Sequence, residues 1–95
     1  MSAYQFKRLG PNYAATAEFS VRRVDRSTLR YAEANRILDI EVEIGDGLAI
    51  YVSCIRGWHS PADTAPIDPG KQQEIVERVC AALDFLDPTY KYVLA

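Results

Sequence analysis

From Arg36 to Ile44 the apolar residues Leu38, Ile40, Val42 and Ile44 alternate with Asp39, Glu41 and Glu43. This is the period of two that turns successive side chains of a strand to opposite faces. Leu48 to Ile55 continues the alternation, with Leu48, Ile50, Val52 and Cys54 on one side. Gly45, Asp46 and Gly47 between them read as a three-residue hairpin loop, with Gly47 available for the left-handed position. That loop pairs Ile44 with Leu48, Val42 with Ile50, Ile40 with Val52 and Leu38 with Cys54, so both apolar sets share one face. The other face then sets Glu43 opposite Ala49, Glu41 opposite Tyr51 and Asp39 opposite Ser53, an acidic surface with a tyrosine in it.

Upstream, Phe19 to Val24 and Thr28 to Glu33 predict two more strands joined by Asp25, Arg26 and Ser27. A tight turn at Ala34 and Asn35 brings Tyr31 to Leu38 on the core face and Arg30 to Asp39 on the outer face, where opposite charges across strands add about 0.2 to 1 kcal/mol. Arg56 to Ile67 contains Gly57, Pro61 and Pro66 without periodicity and reads as a surface connection. Asp68 and Pro69 then have the chemistry of a helix start, a side-chain acceptor followed by a residue of preset φ. Ile75, Val79, Ala82, Leu83 and Leu86 make one apolar stripe along that helix, which Asp87 and Pro88 end. Tyr90 to Leu94 suggests a last short strand. The fold class is α+β: an antiparallel β-meander of four or five strands with one long C-terminal helix packed on one face.

Composition narrows the function. The chain has 95 residues, 48% of them hydrophobic and 25% charged, which fits a single globular domain over residues 1–95 with little room for an enclosed active site. The first ten residues hold Lys7 and Arg8 with no apolar run behind them. Neither a secretory signal nor a membrane span is expected, and the predicted location is cytoplasmic. Cys54 and Cys80 lack metal or disulfide spacing and read as free thiols of a reducing compartment. The net charge of −2 is uneven, +4 from Met1 to Arg36 and −6 from Ile37 onward. The basic half does not point to nucleic acid, because its arginines alternate with apolar residues along strands instead of clustering.

The candidates for catalysis are few. Glu41 and Glu43 on one strand face stand about 6.5 to 7 Å apart, a spacing usable for paired acid and base work, but outward carboxylates on a strand are more simply solvated or paired with neighbours such as Arg30. His59, the one histidine, follows Trp58 in a loop with Cys54 and Asp63 within five positions. A zinc site there needs Cys54 turned out of the core, against the alternation. No glycine-rich phosphate loop joins a strand to a helix. Neither cofactor nor metal is therefore expected, and the chain is read as a binding protein and not an enzyme. Trp58 either closes one end of the core or anchors a partner, and Arg56, Trp58, His59 and Tyr51 gather residue types that anchor interfaces. Asp39, Glu41 and Glu43 with Tyr51 form the other candidate surface.

The succession Tyr31, Glu33, Arg36, Leu38, then Glu41, Glu43, Ile50, Tyr51, Ser53, Ile55, Trp58 and Pro61, and finally Lys71, Ile75 and the run Ala82, Leu83, Asp84, Phe85 resembles the immunity protein 74 family of bacterial polymorphic toxin systems. The likeness covers about Leu29 to Leu86. The N-terminal quarter, with Tyr4, Phe6, Tyr13 and Phe19, lies outside it. The resemblance implies a small α+β protein that binds and neutralises a cognate toxin, with no catalytic residues to carry over. An acidic surface would suit a toxin that acts on nucleic acid through a basic cleft. The competing reading is a structural module that forms homodimers through an exposed edge strand or its helix.

Overall fold

The computed structural model describes residues 4–34, 36–45, 47–59, 65–89 and 91–95. Seven strands lie side by side in chain order: β1 (Lys7–Gly10), β2 (Tyr13–Ala15), β3 (Phe19–Asp25), β4 (Thr28–Glu33), β5 (Arg36–Ile44), β6 (Leu48–Ile50) and β7 (Tyr92–Leu94). Neighbours from β1 to β6 are antiparallel, and β7 runs parallel to β6 after the chain returns through helix α1 (Pro69–Leu86). The expected α+β class and single C-terminal helix are present, in a sheet of seven strands instead of four or five.

The β3 to β6 meander keeps most of the predicted register. Arg30 faces Asp39 and Tyr31 faces Leu38 across β4 and β5, while Val42 faces Ile50 and Ile44 faces Leu48 across β5 and β6. Asp25 holds the β3–β4 turn by accepting the Ser27 backbone N–H at 2.9 Å. At the β4–β5 turn Ala34 has a φ of 49°, a left-handed conformation that costs an L-residue with a Cβ about 1 kcal/mol or more. Ala34→Gly is therefore expected to raise the stability measured by urea unfolding by up to about 1 kcal/mol. Asn35, the other expected turn residue, and Asp46 of the next loop lie outside the described residues, as do Pro61, Asp63 and Tyr90.

The expected strand from Leu48 to Ile55 ends at Ile50. Its proposed partners Ile40–Val52, Leu38–Cys54 and Asp39–Ser53 do not form, because Val52–Cys54 is one turn of 3-10 helix. The Tyr51 N–H reaches the Glu41 carbonyl at 3.0 Å, but the next donor, Val52, turns to the Ala95 carbonyl. Gln72 of α1 donates to the carbonyls of Val52 and Ile55 at 3.3 and 3.1 Å, which fixes the bend and drops Ile55 into the core. Gly47 also differs from expectation, since no described glycine has a positive φ. Its role is close approach: a Cβ there would stand 2.7 Å from the Lys91 carbonyl oxygen, which accepts from Leu48 N–H. Gly47→Ala should loosen β7 and speed hydrogen exchange at Val93 without unfolding β3 to β5.

One face of the sheet is covered. Phe19, Val21, Leu29, Tyr31, Leu38, Ile40, Val42, Leu48 and Ile50 meet Ile75, Val79 and Ala82 of α1. The helix starts as its sequence indicates, with Asp68 accepting the Lys71 N–H at 2.8 Å and Pro69 in the first turn. At its other end Arg8 of β1 donates to the Leu86 carbonyl at 2.7 Å, satisfying a terminal acceptor. Strands β1 and β2 were not anticipated.

A polar cluster ties the helix to one end of β4. Glu33 accepts from the buried Tyr31 hydroxyl at 2.6 Å and from Lys71 at 2.9 Å, and Arg78 donates to the Tyr31 hydroxyl at 2.9 Å. The Arg78 guanidinium also lies 4.7 Å from the centre of the Phe19 ring. Burial alone would raise the Glu33 pKa, but Lys71, Tyr31 and Arg78 outweigh it and hold the carboxyl below its ordinary value. A folded pKa below the unfolded one adds stability that is complete above the unfolded value and lost as pH falls through the folded one. Stability is thus expected to decline on acidification below the ordinary carboxylate range, with a shallower decline in Glu33→Gln, measured by urea melts across pH.

Candidate binding face of the sheet

The face of the sheet opposite α1 is not covered by any other described element. Strand alternation sends Asp39, Glu41 and Glu43 of β5 to it, with Arg30 and Thr28 on β4 and Ala49 on β6 beside them. Arg30 holds Asp39 through two bonds, Nε to Oδ1 at 2.8 Å and an Nη to Oδ2 at 3.2 Å. This fork is the geometry in which a guanidinium binds a carboxylate best, and the carboxylate raises the Arg30 pKa further through hydrogen bonding and charge. Asp39 is thereby neutralised as a pair and half-buried. Glu41, opposite Thr28, is exposed. Glu43 accepts the Tyr51 hydroxyl at 2.5 Å, and that hydrogen bond together with the charge of Glu43 raises the tyrosine pKa, so Tyr51 presents a neutral ring beside Glu43.

Beyond Ile50 the free side of β5 is met by the segment leading to His59. The His59 N–H donates to the Ile37 carbonyl at 2.7 Å, and its Nδ1 accepts the Asp39 N–H at 3.1 Å. The imidazole therefore stands in for a missing strand at that point, which places its proton on Nε2. A groove of about 290 Å³ opens here, lined by Ser27, Thr28, Asp39, Ile40, Glu41, Cys54, Arg56 and His59. Four of the residues singled out from sequence, Asp39, Glu41, Arg56 and His59, share it, while Glu43 and Tyr51 lie further along the same face.

Trp58 sits elsewhere. It is 4% exposed, its ring centre lies 6.2 Å from that of Tyr31, and Arg36 covers it at 5.3 Å. The indole closes one end of the core and is not part of the exposed face. Cys54 lines the groove and also packs against the core, half-buried in the 3-10 turn that breaks the strand alternation. Even so, among the described residues no group of three or more His, Cys, Asp or Glu side chains is placed to hold a metal ion. Asp63, the remaining member of the weighed zinc set, lies outside the described residues. Thr28 was missed as a groove residue, although its position opposite Glu41 follows from the β4–β5 register.

No family model, no curated protein and no solved structure matches the chain. Among the described residues no helix is long and apolar enough to cross a membrane.

Proposed function

We propose that this protein is an immunity protein that neutralises a cognate toxin by stoichiometric binding through the uncovered face of its sheet. The observation that carries the reading is the column of carboxylates on β5. Glu41 and Glu43 stand exposed there, beside Tyr51 and a groove edged by Arg56 and His59. Carboxylates on a rigid central strand attract a basic protein surface over about 8 Å at physiological salt, which favours rapid encounter and choice of partner. Tyr51 adds a large ring of low conformational entropy, the kind of group that anchors interfaces. The partner class comes from the order of residues between Leu29 and Leu86 that resembles the immunity protein 74 family. A basic cleft of the kind found in nucleases is the matching toxin surface.

The test is growth rescue. Cells expressing the toxin encoded beside this gene should survive when this protein is co-expressed and die when it is not. Death in both cases would remove the toxin reading. A second reading, self-association, is favoured by the exposure of Val93 and Leu94, 62% and 52%, on edge strand β7. Sedimentation at increasing concentration separates the two, since this reading requires a dimer in the absence of any partner.

A further inference from the structure

On the opposite side of the molecule, α1 turns a second ridge to solvent. Glu77, Cys80, Ala81, Asp84 and Phe85 follow the i, i+3, i+4, i+7, i+8 spacing of one helical face. With Tyr4 and Phe6 as a side wall they enclose an open groove of about 540 Å³. The wall is aromatic and tied to the core: Phe6 stands 5.3 Å from Phe85 and 5.7 Å from Phe19, and Tyr4 5.2 Å from Phe19, between ring centres. Phe85 is 39% exposed. Cys80, whose thiol pKa burial pushes up, adds an uncharged floor. Ala81 in the middle leaves room for close approach.

The charges along this ridge are all of one sign. Glu77 and Asp84 are both exposed and seven residues apart, about 10.5 Å along the axis. Gln73 donates to Glu77 at 3.5 Å and the Tyr92 hydroxyl to Asp84 at 3.3 Å, and neither carboxylate is in an ion pair among the described residues. The cations of α1 are ion-paired away from the ridge, Lys71 with Glu33 and Glu74 and Arg78 with Glu33, Glu74 and Glu18, and Arg78 also reaches the Tyr4 hydroxyl behind the groove wall. Arg8 stands 6.0 Å from the Phe85 ring centre and donates to the neutral carbonyls of Pro11 and Leu86, so one cation lies at the Phe85 end of the groove beside the two carboxylates of the ridge.

We propose that this groove is a docking site for a basic amphipathic helix of a partner protein, which lays apolar side chains over Ala81 and against Phe85 and sets two cations about two turns apart on Glu77 and Asp84. A symmetric pairing of two copies through this ridge does not fit, because it would bring Glu77 and Asp84 of one copy against the same carboxylates of the other. An anionic lipid surface is repelled for the same reason. The site is separate from the uncovered face of the sheet, and its occupation does not depend on the toxin reading.

The probe is a synthetic helix of about 18 residues, dye-labelled, with lysines seven apart flanking leucines on one face. A matched peptide with glutamates for the lysines is the control. Fluorescence anisotropy with the full chain should show saturable binding of the lysine peptide and at least tenfold weaker binding of the glutamate peptide. Glu77→Lys combined with Asp84→Lys should reverse that preference, and Phe85→Ser should weaken the lysine peptide at least tenfold. Equal binding of the two peptides to the unaltered protein, or no binding of either, overturns the proposal without relying on any variant. So does a preference for anionic vesicles over the lysine peptide, or a dimer of the chain that Glu77→Lys dissolves.

Discussion

Tyr31→Ala is expected to leave the protein largely unfolded at room temperature, seen as loss of the cooperative urea transition. The side chain is fully buried, its ring stacks 5.8 Å from Phe19 and lies 6.2 Å from Trp58, and its hydroxyl links Glu33 to Arg78. Removing a large core aromatic costs about 3 to 5 kcal/mol. The same truncation takes a hydrogen bond from each of two largely buried ions, adding a further penalty. A domain of this size has a total stability of only about 5 to 15 kcal/mol. Tyr31→Phe separates the two effects: it keeps the ring and leaves Arg78 and Glu33 at 3.6 Å from each other, so a loss of about 1 to 2 kcal/mol is expected. If alanine were tolerated with a normal melt, the placement of β4 under α1 would be wrong.

The parts of this fold that could be read from sequence were those with a strict period. β5 runs through nine residues with Leu38, Ile40, Val42 and Ile44 on one side, and its neighbours inherit register from it because a one-residue slip would send every apolar side chain to the wrong face. The helix was legible for a similar reason, with Asp68 and Pro69 marking its start. What escaped was set by tertiary contacts. β1 and β2 have four and three residues, too few for a period, and they are held by pairing of β1 with β2 and β2 with β3 and by Arg8 on the end of α1. The alternation past Ile50 predicted more strand, but Gln72 and Ala95, distant in sequence, bend that segment. This bend lets Cys54 line the groove while it still packs against the core, and Trp58 closes one end of the core, the first of its two expected roles. Of the candidate site, the carboxylate column followed directly from the β5 period, whereas the contact of His59 with Asp39 N–H depends on the bend.

If the proposed toxin binds this face, reversing both charges in Glu41→Lys combined with Glu43→Lys is expected to weaken that complex at least tenfold, about 1.4 kcal/mol, with little change in the thermal midpoint. Both residues are exposed, and neither pairs with a cation among the described ion pairs; Glu43 gives up a bond to Tyr51 that is itself on the surface. Most of the loss should appear in the association rate and shrink as salt rises, because rim charges act at long range. Asp39→Asn should behave differently. It breaks the fork with Arg30 and costs stability, with a smaller effect on binding, since that charge is already matched within the protein. Unchanged affinity after the double reversal would take β5 out of the interface.

The most direct measurement is a calorimetric titration of this protein into the purified product of the neighbouring gene, the toxin that the proposed function requires, with residual toxin activity assayed at each step. Neutralisation by binding predicts a one-to-one complex and activity that falls in proportion to the inhibitor added, reaching zero at equivalence. Absence of heat and of inhibition, or complete inactivation by a small fraction of an equivalent, would contradict it, the latter by pointing to a catalytic action on the toxin.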